Sequence, residues 1–161
     1  MELDYTFMIE TFYKVWGGIG TTLGLTALSL LIAAPIAFYM AVLRIKGNLI
    51  GSGITQAYIS FVRGTPIILQ ILLLYSLLPS FLNVVVKALG SDFNVFDSVD
   101  PFWYAVVVFS LNTIALLAEV FRSALLSIPK GQLEAGVSIG LSEFQTYCKV
   151  IIPQAMVVAL P

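Results

Sequence analysis

The chain has 161 residues, 59% of them hydrophobic and 11% charged, with a net charge of −1 and a mean hydropathy of +0.98. This is the composition of a membrane protein, and without any basic run it offers nothing to nucleic acid. The absence of histidine excludes Ser-His-Asp and Cys-His catalysis and any histidine-rich metal site.

A single cysteine, Cys148, precludes an intrachain disulfide and reads most simply as a buried thiol. No G-x-x-x-x-G-K-[ST] run is present, so any ATP that serves this protein is hydrolysed by another chain.

The N-terminus is not a secretory signal, because Glu2, Asp4 and Glu10 outweigh Lys14 ahead of an apolar run far too long for one. Three stretches lack Asp, Glu, Lys and Arg for about the 20 residues that a bilayer crossing needs. They are Val15 to Leu43, Gly64 to Val86, and Pro101 to Ala118, the last extended by Phe121, Ala124, Leu125 and Leu126.

In the first stretch, Gly20-x-x-x-Gly24 either admits a neighbouring helix or reflects the ordinary frequency of glycine in membrane helices. Pro35 predicts a kink that frees the Leu31 carbonyl.

The segment between the first two stretches, with Arg44, Lys46 and Arg63, reads as a loop. At its end, in Phe61-Val62-Arg63-Gly64-Thr65-Pro66, Thr65 is expected to cap the second helix, with Pro66 in its first turn. Arg63 either snorkels to phosphates or faces a path, and Gln70 either bonds between helices or lines a route for solute.

The third stretch carries Asn112, then Glu119 and Arg122 at a spacing that lets them pair on one helix face. An intramembrane carboxylate is a functional candidate, so Glu119 is either half of a structural ion pair or a substrate contact.

Beyond it, Pro129 suits a first helical turn, Gly140 a helix stop, and Ser142 with Gln145 a capping box that starts another helix running to Pro153. An apolar stretch from Val150 is too short to span and reads as the start of a fourth crossing. Six of the eight Lys and Arg residues fall on one side of this topology. That side is therefore cytoplasmic, and the N-terminus and the acidic loop with Asp92, Asp97 and Asp100 are external.

The segment Glu134-Ala135-Gly136, then Gly140, then Val150-Ile151-Ile152-Pro153 resembles the Glu-Ala-Ala loop of ATP-binding-cassette importer permeases. Gly136, Val150 and Ile152 stand where that pattern has Ala, Ile and Leu. The Phe61 to Pro66 run with Gln70, and Ala118-Glu119 through Pro129-Lys130-Gly131-Gln132, are similar to the polar amino-acid branch of those permeases, which handles histidine, glutamate, glutamine and arginine.

The resemblance implies an all-α polytopic membrane protein of the bacterial inner membrane, formed by residues 1–161 as one transmembrane domain. It would have three complete spans, a cytoplasmic coupling helix and the start of a fourth span, where the family has five. The chain is accordingly expected to be truncated at its C-terminus.

It further implies that Glu134, Ala135, Gly136, Gly140 and Pro153 couple the chain to a separate cytoplasmic ATPase. Glu134 would bond that ATPase, Gly136 and Gly140 would allow close approach and the turn, and Pro153 would set the next span. The remaining partners would be a second permease subunit, identical or related, an external solute-binding protein, the amino acid and membrane lipid. No cofactor, metal, nucleic acid or catalytic residue is expected on this chain. Arg63, Gln70, Asn112, Glu119 and Arg122 are the candidates for pathway lining or interhelical bonding. The alternative is a non-transporting membrane scaffold.

Overall fold

The computed structural model describes residues 5–47, 49–90 and 99–159. Asp92 and Asp97 of the expected acidic loop lie outside the described residues, as do Glu2, Asp4 and Pro161. Among the described residues the chain is helical without strands: α1 Tyr5–Gly17, α2 Ile19–Ile45, α3 Leu49–Gly64, α4 Ile67–Ala88, α5 Pro101–Ser127, α6 Gly131–Ser138, α7 Glu143–Thr146, a π-helical turn Tyr147–Ile151, and α8 Ile152–Ala159. Three helical stretches are long and apolar enough to cross a bilayer, namely Tyr5–Ile45, Ile67–Ala88 and Pro101–Ser127.

The core is a seam between α2 and α5. Ala33 and Ala37 on α2 and Ala115 and Ala118 on α5 are fully buried, packed with Ile59 and Val62 of α3 and Ile114 of α5. Ala41 continues the α2 row, and Ser29 begins it. The spacing of four keeps these small side chains on one helix face, so two backbones can approach closely where lipid supplies no hydrophobic drive for helix association.

Among the described residues of this chain no helix packs closely at Gly20 or Gly24. A Cβ at either glycine would meet nothing within 4 Å, and the alanine row takes that part instead. Pro35 is exposed, and α2 continues through it as one helix.

Two expectations fail around the second span. The segment with Arg44, Lys46 and Arg63 is not a loop: most of it is α3, whose Thr55, Ile59 and Val62 are buried. Nor does Thr65 cap α4. Pro66 is the N-cap without a side-chain bond, and the Thr65 hydroxyl instead donates backward to the carbonyl of Phe61 at 3.0 Å, closing the end of α3.

α5 begins as its sequence dictates. Asp100 is its N-cap, with Oδ1 accepting the Phe102 N–H at 2.8 Å, and Pro101 occupies the first position. It ends at Ile128, held extended ahead of Pro129.

Candidate functional site

Two groups of candidate residues fall in different places. The first lies where α3 breaks from α4. The break leaves carbonyls of the last α3 turn without helical partners, and the Gln70 side chain supplies one. Its Nε2 donates to the Val62 carbonyl at 2.9 Å, the Thr65 carbonyl at 3.1 Å and Thr65 Oγ1 at 2.7 Å.

Gln70 Oε1 in turn accepts from Asn112 Nδ2 at 3.3 Å, near the middle of α5. Tyr58 adds a second tie, its hydroxyl donating to the Leu111 carbonyl at 2.6 Å. A helix interrupted next to a membrane span needs such satisfaction, because hydrocarbon provides no hydrogen-bond partners.

Arg63 and Glu119 line a polar cleft of about 410 Å³ with Arg44, Gln56, Ile59, Ser60 and Gly64. Glu119 does not pair with Arg122. It accepts from Arg44 Nη1 across the α2–α5 seam, with side-chain exposures of 11% for Arg44 and 26% for Glu119. Among the described residues no ion pair forms at Arg122. Spacing within one helix could not reveal this pair, since its partners are 75 residues apart. Arg44 was missed as a site residue for that reason.

The second group lies on α6 and the helical turns C-terminal to it. Glu134 and Ala135 are exposed and Gly136 is buried. A Cβ at Gly136 would stand 2.3 Å from Thr146 Cγ2 and 2.6 Å from Thr146 Oγ1. Both branches of a β-branched side chain are in the way, so rotation alone cannot clear them. The close approach at Gly136 thus joins α6 to α7 of the same chain.

Gly140 closes α6 with φ +87, a left-handed conformation that favours glycine, and the Leu141 N–H donates back to the Gly136 carbonyl at 3.1 Å. The capping box forms as expected: Gln145 N–H donates to Ser142 Oγ at 3.2 Å, and Ser142 N–H to Gln145 Oε1 at 2.9 Å. Pro129 lies ahead of α6 rather than in it, its carbonyl accepting the Gln132 N–H at 3.0 Å.

The helix does not stop at Pro153. A π turn precedes the proline, with the Ile152 N–H donating to the Tyr147 carbonyl. The wider turn takes up a residue that has no N–H and crowds the carbonyl four positions back. Gln154 Nε2 donates to the Val150 carbonyl at 3.0 Å and reaches Gln132 Oε1 of α6 at 3.5 Å.

Cys148 is exposed rather than buried. It lies within the π turn and lines an apolar cavity of about 490 Å³ with Phe38, Val42, Leu125 and Tyr147.

Fold and site together define an all-α polytopic membrane protein that carries a short, internally braced helix between two apolar helices. The chain belongs to the family described as binding-protein-dependent transport system inner membrane component, which it matches over residues 33–161. It is 37% identical over 160 residues to the L-cystine transport system permease protein TcyB of Bacillus subtilis (strain 168), covering 99% of this chain and 62% of that protein. It is 32% identical over 160 residues to the nopaline transport system permease protein NocM of Agrobacterium fabrum (strain C58 / ATCC 33970), covering 99% and 64% respectively.

A solved structure described as an amino acid ABC transporter with histidines superposes with a TM-score of 0.73 at 27% identity, covering 100% of this chain and 69% of that one. The chain thus spans less than two thirds of the length of these two permeases.

Proposed function

We propose that the chain is the permease subunit of an ATP-dependent importer of polar amino acids, and that α6 is the helix through which a separate cytoplasmic ATPase drives it. The observation that carries this reading is the division of α6 into two faces. Gly136 is locked on Thr146, while Glu134, Ala135 and Ser138 stay exposed. A helix of eight residues is too short to be stable alone, so its internal bracing keeps a docking face in shape.

In this reading α6 and the ends of α2 and α5 are cytoplasmic and the N-terminus external, following the distribution of Lys and Arg. Two permease subunits enclose the path, an external binding protein delivers the amino acid, and ATP binding on the partner shifts the pair between outward and inward openings. The chain itself performs no covalent chemistry and binds no cofactor. The broken α3–α4 helix, tied to α5 through Gln70 and Asn112, supports a solute route, since irregular backbone in a membrane is tolerated only when it is buried in protein or lines a cavity. The Arg44, Arg63 and Glu119 cleft presents both charge signs, which suits a zwitterionic solute.

The test is retention of the ATPase from detergent-solubilised membranes by the tagged chain and its Glu134→Lys variant. Loss of the ATPase with the variant, at unchanged amounts of folded permease, is the expected result. Equal retention would remove α6 as the coupling element and leave a passive scaffold.

A further inference from the structure

α1 buries no residue in this chain, yet its sequence is strongly sided. At roughly 100° per residue, Tyr5, Met8, Ile9, Phe12, Tyr13 and Trp16 fall on one arc, and Thr6, Glu10, Lys14 and Gly17 on the opposite one. Phe7 is the one aromatic residue on the polar side. The six apolar-arc residues are between 52% and 71% exposed. Phe12 meets Trp16 with ring centroids 5.7 Å apart and Tyr13 at 6.2 Å, so the face is a continuous aromatic surface.

Length decides what this surface can touch. α2 has 27 residues, which at about 1.5 Å each already exceeds the roughly 30 Å hydrocarbon core. The 13 residues of α1 therefore lie beyond the span, and as a straight extension they would hold the aromatic face in water. Gly17 and Gly18 sit at the junction, where α1 ends and α2 begins without side chains to oppose a change of direction.

We propose that α1 is an interfacial helix lying along the membrane surface at the outer end of α2, with its aromatic face at the boundary between headgroups and acyl chains. Tyr and Trp favour that boundary because each joins an apolar ring to a polar group. The face continues the exposed apolar surface of α2 at Ile19 and Leu23. One Glu and one Lys on the polar arc cancel, so the attachment is apolar insertion and does not depend on anionic lipid. The proposal rests on membrane residence alone, independently of which solute or ATPase the chain serves.

The experiment uses the full chain in phosphatidylcholine vesicles, in a Cys148→Ser background, with single nitroxide labels placed by Tyr5→Cys, Met8→Cys, Ile9→Cys, Glu10→Cys, Phe12→Cys and Lys14→Cys. Accessibility to oxygen and to a water-soluble nickel chelate is measured at each site. The expected result is a helical oscillation about one constant shallow depth, with sites 5, 8, 9 and 12 favouring oxygen and sites 10 and 14 favouring nickel, unchanged when phosphatidylglycerol is added. Nickel accessibility that climbs steadily from site 14 to site 5 would overturn the proposal in favour of a projecting helix. Low accessibility to both reagents on the aromatic arc would overturn it in favour of a protein partner. A Trp103→Phe chain supplies a second reading: Trp16 emission should be quenched most by lipids brominated near the headgroup end of the chain, and quenching greatest at the bilayer centre, or absent, contradicts the assignment.

Discussion

The α2–α5 seam and the α6–α8 segment both depend on residues small enough to let backbones approach closely, but to opposite ends. In the seam, Ala33, Ala37, Ala115 and Ala118 are fully buried, and the close approach exists to hold the two helices together. In α6, one glycine is pressed on Thr146 while the neighbouring Glu134 and Ala135 remain exposed. Close packing there fixes a short helix whose other face, in the proposed reading, meets the ATPase. Tight approach therefore marks a core in one place and the back of a presented surface in the other.

Substitutions that enlarge these small residues separate the two roles. Ala37→Leu should be the most damaging, costing about 3 kcal/mol, since overpacking a filled site forces backbone shifts. Unfolding of the detergent-solubilised chain by sodium dodecyl sulfate would register it, with Ala27→Leu on the exposed side of α2 as a near-silent control.

Gly136→Val should cost about 2 kcal/mol by driving Thr146 out of place. Its effect should be local: amide exchange across residues 131–146 accelerates while the seam stays protected. Acceleration spread equally over α2 and α5 would mean that the α6 brace is not a separate unit.

Glu119→Gln should cost about 1 kcal/mol, below the roughly 3–5 kcal/mol of a fully buried pair, because Glu119 is still 26% exposed. A double-mutant cycle with Arg44→Gln measures the coupling directly, and a cycle of the same size with Arg122 would contradict the Arg44 partnership.

The smallest expected change in stability belongs to Glu134→Lys, about 0.5 kcal/mol in the same dodecyl sulfate unfolding, since the side chain is exposed and only a favourable carboxylate in the first turn of α6 is lost.

Much of this was legible in order along the sequence, and little of it across the sequence. Gly140 as a helix stop and the Ser142–Gln145 capping box are local chemistry, fixed by residues within four positions of one another. The spans were readable because long uncharged stretches have few other uses.

What was not readable depended on distance or on irregular geometry. α3 was hidden because Gly51, Ser52 and Gly53 dilute its helical pattern, while its packing on the alanine seam supplies what propensity lacks. Glu119 looked paired with Arg122 because only the same helix can be inspected from spacing. Gln70 was recognised as an amide needing partners, but its use as a stopper for the α3 carbonyls depends on a break that only the fold defines. The π turn Tyr147–Ile151, which contains Cys148, answers to no local residue pattern and shifts the phase of the side chains that follow it.

The direct test of the central claim replaces Ala135 with a photo-reactive benzoylphenylalanine in membranes that also hold the cognate ATPase. Irradiation should join the chain to the ATPase from position 135 and not from position 27 on α2. Adducts to lipid alone from position 135, with the ATPase present and assembled, would contradict the account.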